Sequence, residues 1–262
     1  MCFPPGARPP EIPRDLAPIG GGAGGEDVVL SSADGATFRA RVATASHAEH
    51  GVVIAPDVRG LHSFYEELVE RFADAGVHAI VFDYFGRTAG TERRPDDFAF
   101  QEHATAARER PDLIQADLAA SVAELQRRTK AHRLFVLGFC MGGRVAFNAA
   151  AEQTGIAGVI GFYGVTRRRD EQDADAPIDK VARIRVPVLG LFGGGDQAIP
   201  ASDTQAFERA LQEHRIAHEI VTYPNAPHSF FDRSFAKWKD ACDDSWRRAL
   251  GFISTSDPAA VG

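Results

Sequence analysis

Short apolar runs alternate along the chain with amphipathic stretches. Continuous apolar runs of five or six residues are typical of strands that are buried on both faces of a sheet. Such runs predict strands at 51–55, 78–82, 133–139, 156–163, 186–192 and 218–223. Between them apolar residues recur at intervals of three and four, which predicts helices that pack on the sheet. These helices cover 64–74, 113–126, 145–152, 204–214 and 235–252.

The alternation of strand and helix predicts an α/β fold with a mostly parallel sheet and helices on both faces. Two β-branched segments, 27–31 and 36–43, come first and are joined by an Asp-Gly pair, a strong signal for a tight turn. They predict an N-terminal antiparallel hairpin. Two longer stretches, 84–112 and 166–185, are rich in Arg and Asp and are interpreted as irregular. Loops that follow parallel strands carry ligand sites, so the first stretch is expected to contact substrate.

One domain accounts for most of the chain. The 262 residues include 44% hydrophobic residues, enough to bury a substantial core. Residues 1–25 are rich in Pro and Gly and predict an irregular N-terminal extension. The domain itself is expected over 26–253, followed by a short tail at 254–262.

Charge and cysteine content narrow the class of partner. A net charge of −7 supplies no cationic field for a nucleic acid, and no apolar run approaches the ~18 residues of a membrane span. A small uncharged or anionic molecule remains the expected partner, whereas oligomeric state cannot be read from the pattern. The three cysteines, at 2, 140 and 242, have no disulfide or zinc spacing, which favours a reducing, cytoplasmic location.

The segment GFCMGG carries the strongest chemical signal. A predicted strand ends at Gly138, Cys140 follows, and a helical pattern resumes after two glycines. This is the strand, sharp turn and helix of a nucleophile elbow, with sulfur in place of the usual serine oxygen. Because the thiol precedes a helix N-terminus, the helix dipole favours the thiolate. The alternatives for Cys140 are a buried inert cysteine and an oxidant-sensing thiol.

A cysteine nucleophile needs a base and a carboxylate that orients the base. Asp196 follows the predicted strand 186–192 in a glycine-rich loop, and His228 follows the strand 218–223. Their chain order after the nucleophile is that of the α/β-hydrolases. Taken alone, each could be an ordinary polar loop residue. His214 and His218 stand four apart, but they straddle a helix end and a strand start, so no metal site is expected.

With the elbow GFCMGG, the loop GGGD-x-x-IP and the segment PHSF, the chain resembles the dienelactone hydrolase (carboxymethylenebutenolidase) family of α/β-hydrolases. The resemblance spans about residues 26–253. It implies an α/β-hydrolase fold and a catalytic triad of Cys140, Asp196 and His228. It implies neither a metal nor an organic cofactor.

The resemblance also gives a role to the segment VVIAPDVRGLH. The family has a glutamate after its third strand that holds the thiol proton in the resting site, and Asp57 stands at that position here. The alternative for Asp57 is a turn residue at the end of a strand. The backbone N–H groups of Val58 and Met141 would form the oxyanion hole, because the tetrahedral intermediate needs two preorganised donors.

Substrate contacts implied by the resemblance are less complete. One of the two arginines with which the family's lactonases bind a substrate carboxylate matches Arg87, and Tyr84 begins the same loop. The position of the second holds Asp232, with Arg233 one residue later. The expected function is therefore hydrolysis of a carboxylic ester or lactone through a thioester. Alternatives are a general esterase or thioesterase and a non-catalytic scaffold that senses oxidants or binds a ligand.

Overall fold

A single sheet organises the chain. The structure is a computed structural model that describes residues 6–16, 24–232 and 236–257. Eight strands among these residues form the sheet in the order β1-β2-β4-β3-β5-β6-β7-β8. They are β1 (Glu26–Ser31), β2 (Thr37–Ala43), β3 (His50–Ala55), β4 (His78–Phe82), β5 (Arg133–Phe139), β6 (Gly158–Phe162), β7 (Val188–Gly193) and β8 (His218–Tyr223).

The sheet is antiparallel only at one edge. β1 pairs antiparallel with β2, and β2 pairs antiparallel with β4, whereas all the other neighbours run parallel. The β1–β2 turn closes at Gly35, which has φ of 83° and whose N–H donates to Ser32 O at 2.9 Å. The predicted hairpin, the mostly parallel sheet and the α/β-hydrolase fold class are confirmed.

Helices cover both faces of the sheet. They are α1 (Ser63–Asp74), α2 (Gly86–Ala89), α3 (Gln101–Glu109), α4 (Pro111–Arg128), α5 (Met141–Glu152), α6 (Pro177–Lys180), α7 (Ala201–Glu213) and α8 (Lys239–Thr255). A Cβ at Gly158 would meet the ring of Phe252 in α8 at 2.6 Å, and one at Gly161 would meet Phe147 in α5 at 2.3 Å. Residues three apart in a strand face opposite sides, so α8 and α5 lie on opposite faces.

The sequence predicted that the stretch 84–112 is irregular, but the structure contains helices there. The stretch contains α2 and α3, and 166–185 contains the short α6. α3 has the sequence QEHATAARE and, of its nine residues, buries Ala104 alone. Its apolar residues are all alanines, so it presents little hydrophobic surface to the core. The sequence analysis did not identify this helix.

The carboxyl ends of the central strands meet at one edge of the sheet. Ala55, the last residue of β3, pairs in register with Gly138 near the end of β5. Gly193 and Tyr223 end β7 and β8 and pair in the same way. Because these strands run parallel, the segments after them start from neighbouring positions. This edge brings together residues that are far apart in the chain, from Ala55 to the segment after Tyr223.

Residues 6–16 lie against the helical surface. Nε1 of Trp246 in α8 donates to the carbonyl of Pro10 at 3.3 Å, and Glu11 pairs with Arg71 of α1 at 2.5 Å. The extent of an N-terminal extension and of a C-terminal tail stays a prediction. Among the described residues, no helix is both long enough and apolar enough to cross a membrane.

Candidate active site

Cys140 occupies the sharp turn between β5 and α5. Its backbone has φ of 53°, a left-handed conformation that is unfavourable for a residue with a side chain, and its N–H donates to Phe162 O at 3.0 Å. The glycines of the elbow permit this turn. A Cβ at Gly138 would lie 1.9 Å from Gly142 O, and one at Gly142 would lie 2.0 Å from Ala55 O. The spacing G-x-C-x-G is therefore required by backbone packing.

Asp196 and His228 form a hydrogen-bonded pair. Nδ1 of His228 lies 2.5 Å from Oδ2 of Asp196. The other carboxylate oxygen accepts the N–H groups of Ala198 at 2.8 Å and Ile199 at 3.3 Å. The aspartate side chain is 1% exposed and the histidine side chain 22%. With Nδ1 donating to the carboxylate, Nε2 of His228 is the imidazole nitrogen left to accept a proton.

Backbone hydrogen bonds hold the two loops together. The N–H of Gly194 donates to Tyr223 O at 2.8 Å, and the N–H of Gly195 donates to Ala226 O at 2.9 Å. These contacts continue the β7–β8 pairing beyond the end of the sheet. Asp196 and His228 follow directly, so the pair depends on backbone geometry as well as on its own hydrogen bond.

One cavity of about 760 Å³, called here the Cys140 cavity, lies at this edge of the sheet. The triad residues and the two expected oxyanion donors all line it. Its wall comprises Val58, Phe100, Arg108, Cys140, Met141, Arg144, Val165, Arg169, Gly195, Asp196, Gln197, Ala198, Pro227 and His228. The structure thus brings together five residues that the sequence had singled out at separate positions.

Asp57 lies beside this wall. Its side chain is fully buried, and its Oδ1 accepts the N–H of Arg59 at 2.8 Å, which closes a tight turn around Val58. The N–H of Asp57 donates to the hydroxyl of Tyr65 at 2.7 Å. Nε2 of His62 lies 3.6 Å from the same Oδ1. These contacts fix the backbone on both sides of Val58.

The expected substrate contacts of Arg87 and Tyr84 are not found in the cavity wall. Arg87 lies in α2 and pairs with Asp117 at 2.5 Å and Asp34 at 2.9 Å. The hydrogen bond to Asp117 is the main cause of the raised pKa of this guanidinium. Tyr84 is buried and donates to Pro56 O at 2.6 Å. Arg233 lies outside the described residues.

Three arginines in the wall were not predicted. Arg108 lies in the last turn of α3, Arg144 lies in the first turns of α5, and Arg169 belongs to the segment after β6. Arg144 binds both oxygens of Asp173 at 2.8 Å, and Arg169 reaches the same carboxylate at 3.0 Å. For Arg108 and Arg169 the signal in the sequence was the richness of 84–112 and 166–185 in Arg and Asp, which does not identify the residue that reaches the site. Arg144 lies in neither stretch.

Cys242 lies in a different environment from Cys140, away from the cavity wall. It is 1% exposed and its Sγ donates to Phe230 O at 3.3 Å. Burial raises the pKa of its thiol to about 12, so it stays protonated. Among the described residues, no group of three or more His, Cys, Asp or Glu side chains is arranged to hold a metal ion.

The chain is similar to proteins of one family. The model of the dienelactone hydrolase family matches residues 38–256. An Escherichia coli protein named as a carboxymethylenebutenolidase is 28% identical over 205 residues, which cover 76% of this chain and 74% of that protein. A Bradyrhizobium protein named as a 2-oxo-3-(5-oxofuran-2-ylidene)propanoate lactonase is 26% identical over 208 residues, covering 77% and 82%.

The fold has a solved counterpart. The crystal structure of a Klebsiella pneumoniae protein described as a dienelactone hydrolase superposes with a TM-score of 0.71 at 24% identity, covering 88% of this chain and 99% of that one. An acylaminoacyl peptidase structure reaches a TM-score of 0.72 at 14% identity but matches only 42% of its own length. The chain therefore belongs to the dienelactone hydrolase family, and with that family it is a hydrolase of the ester and lactone class.

Proposed function

We propose that the chain hydrolyses carboxylic esters or lactones through a thioester on Cys140. One observation carries the proposal. The Asp196–His228 pair, 2.5 Å between Oδ2 and Nδ1, opens onto the same cavity as a cysteine that precedes a helix N-terminus. A nucleophile, a base and a carboxylate that orients the base are the three groups that acyl transfer needs.

In the first half of the reaction, His228 Nε2 takes the thiol proton and the thiolate of Cys140 attacks the substrate carbonyl carbon. A C–S bond forms and the carbonyl oxygen becomes an oxyanion. The N–H groups of Val58 and Met141 donate to this oxyanion, which is the role of preorganised donors in such sites. When the intermediate collapses, the C–O bond breaks and the leaving oxygen takes the proton from His228.

In the second half, His228 accepts a proton from water, and the resulting hydroxide attacks the thioester carbonyl. The C–S bond breaks, the acid product leaves, and the sulfur regains its proton through His228. Asp196 holds the imidazole orientation and stabilises its positive charge in both halves. No metal or organic cofactor enters these steps. A reducing, cytoplasmic location is part of the proposal because an oxidised sulfur could not attack.

Asp57 is assigned a role through the backbone. Its contact with the N–H of Arg59 supports a turn that orients Val58, and hence the N–H proposed for the oxyanion hole. The alternative is the role implied by the family resemblance, in which the carboxylate holds the thiol proton. The two roles differ in whether the charge of Asp57 is needed.

The test uses a p-nitrophenyl ester with a neutral acyl chain. Wild-type protein should release p-nitrophenol and show an acyl adduct on Cys140 by mass spectrometry of rapidly quenched samples. Cys140→Ala should lose both, whereas Cys242→Ala, which removes the buried thiol, should keep the adduct. His228→Gln should lose turnover while its fold, followed by circular dichroism, is kept.

Other results would contradict the proposed function or favour a different one. Turnover retained in Cys140→Ala would contradict a cysteine mechanism. Reaction of Cys140 with peroxide but with no ester would favour an oxidant-sensing scaffold. Comparable rates across simple esters and thioesters, with no gain for lactones, would identify a general esterase.

A further inference from the structure

Tyr163 has a strained backbone directly after β6. It follows Phe162, the last residue of the strand, and has φ of 37°. Bulky side chains rarely occupy this left-handed region, and such strain persists only where the surrounding structure holds it in place. Gly164 comes next, and a Cβ there would lie 2.5 Å from the carbonyl carbon of Gly143 in α5. The turn after β6 is therefore packed directly against the first turn of the nucleophile helix.

The peptide group between Phe162 and Tyr163 contacts the chain on both sides of β6. Its carbonyl, that of Phe162, accepts the N–H of Cys140 at 3.0 Å. Its N–H, that of Tyr163, donates to the carbonyl of Leu191 in β7 at 2.8 Å. Because β7 leads into the loop that carries Asp196, this one peptide group connects the nucleophile turn to the strand that positions the carboxylate.

The ring of Tyr163 packs against the imidazole of His228. The two ring centroids are 5.0 Å apart and the ring planes are tilted by 56°. The Tyr163 side chain is fully buried, and its other aromatic neighbours include Phe139 at 6.1 Å and Phe230 at 5.6 Å. Phe139 directly precedes Cys140, and Phe230 follows His228 closely in the chain. The ring is thus held between the segment of the nucleophile and the segment of the base.

This packing supplies a restraint that the hydrogen bond to Asp196 does not. The bond at Nδ1 fixes one atom of the imidazole, whereas the plane of the ring needs a second contact. The His228 side chain is 22% exposed, and the Tyr163 ring covers it from the protein interior. Tyr163 is not one of the residues that form the wall of the Cys140 cavity. It is therefore placed to affect the reaction through His228 and not through the substrate.

We propose that Tyr163 is a positioning residue, whose ring holds the imidazole of His228 in the orientation that lets Nε2 take the proton of Cys140. The inference rests on the proposed function and deepens it. The strained φ is the conformation that places the ring behind the base while the backbone stays bonded to the segments of the other two triad residues. Acyl transfer depends steeply on such alignment, because a displacement of about 1 Å can cost about 10²-fold in rate.

The experiment measures kcat and KM for a neutral p-nitrophenyl ester in three variants of Tyr163. Tyr163→Phe keeps the ring and should keep kcat. Tyr163→Leu removes the ring and should lower kcat by about 10- to 100-fold with little change in KM, since the lost contact does not involve the substrate. Tyr163→Gly also removes the ring but accepts a positive φ without strain, so it gives the same test if the leucine variant fails to fold.

Phe72→Leu is the matched control. Phe72 is a buried aromatic residue of α1, and its ring lies 5.0 Å from that of Trp246 in α8. Both leucine variants should unfold at a lower temperature than wild type, because each loses buried aromatic surface. Only Tyr163→Leu should lose kcat, measured well below either unfolding temperature.

A double-mutant cycle tests whether Tyr163 acts through His228. The measured rate is single-turnover acylation of Cys140 at about pH 9, where a free thiol is largely ionised without a base. Tyr163→Leu should slow acylation when His228 is present. In the His228→Gln background the same substitution should leave the residual rate unchanged, because the imidazole that the ring positions is absent.

Four results would overturn the inference. The first two are wild-type kcat in the leucine and glycine variants, and an equal loss of kcat in Phe72→Leu. The third is the same slowing of acylation with and without His228. The fourth is an equal loss in Tyr163→Phe, which would assign the effect to the hydroxyl. In all four cases wild type still forms the adduct on Cys140, so the proposed function stands. If wild type forms no adduct, the proposed function fails and the inference fails with it.

Discussion

Asp196 binds His228 with one carboxylate oxygen and the start of its own loop with the other. Oδ2 lies 2.5 Å from Nδ1 of the imidazole, and Oδ1 accepts the N–H groups of Ala198 and Ile199. Backbone hydrogen bonds therefore hold the carboxylate in place independently of its contact with His228. Its removal should alter the tautomer of His228 rather than the fold.

Asp196→Asn tests this relationship. The amide can still accept from Ala198 through its oxygen, but its NH₂ group would donate to Nδ1 and move the imidazole proton to Nε2, where it blocks proton uptake from Cys140. We expect kcat for a p-nitrophenyl ester to fall by about 10⁴-fold, the loss seen when a triad carboxylate is neutralised. Asp203→Asn, in α7, is the control and should keep wild-type kcat. Similar kcat values for the two variants would contradict the role of Asp196.

Two substitutions at Asp57 separate its possible roles. Asn retains an oxygen that can accept the N–H of Arg59, whereas Ala removes it. If Asp57 orients Val58 through this turn, Asp57→Asn should keep kcat within about threefold of wild type, and Asp57→Ala should lose about 10²-fold, the effect of one oxyanion donor. Equal losses of kcat in the two variants would show that the charge is required and would support thiol activation instead.

The shared carboxylate of Asp173 should matter for stability. Its side chain is 2% exposed, and that of Arg144, which it binds, is 7% exposed. Asp173→Asn would leave a buried guanidinium without its main counter-charge, so we expect a loss of about 3 kcal/mol in the free energy of unfolding, measured in urea. Asp179→Asn breaks the exposed pair with Arg168 and should cost less than about 1 kcal/mol. Equal losses would contradict this account.

Glu66 should make stability depend on pH in the acid range. Burial by itself would raise the pKa of this carboxyl, but hydrogen bonds from Arg93 and Arg39 outweigh it and lower the pKa from 4.5 to about 2. A lowered carboxyl pKa gives stability that is complete above the unfolded-state value and is lost as pH falls toward the folded-state value.

The expected window therefore runs from about pH 4.5 down to about pH 2. Wild type should lose more unfolding free energy across it than Glu66→Gln, whose amide does not titrate. Urea titrations at several pH values in this range measure the difference. Parallel pH dependence of the two proteins would show that the ion pairs of Glu66 do not contribute.

The sequence predicted the structure correctly where the residues that determine it are close together in the chain. The β1–β2 turn follows from Asp34-Gly35, and the backbone packing of Gly138 and Gly142 follows from the spacing around Cys140. The mostly parallel sheet followed from the alternation of strands and helices. The positions of Asp196 and His228 followed from their places after consecutive strands.

What the sequence could not predict depends on distant side chains. The guanidinium of Arg87 pairs with Asp34 and Asp117, which lie 53 and 30 residues away in the chain. The hydrophobic pattern of the sequence does not indicate an ion pair between such distant residues. α3 was missed because it buries a single alanine, and the position of Arg108 in the cavity wall was missed with it.

The segment after β6 is attached to the nucleophile helix by side chains. Arg144 and Asn148, four apart in α5, bind Asp173 and Asp175 of that segment. The triad, by contrast, depends on strand ends and backbone hydrogen bonds. Insertions or exchanges in 166–176 could therefore accumulate during evolution without moving the sulfur, provided that two anchoring acids are kept. Selectivity can diverge in this architecture while the reaction is preserved.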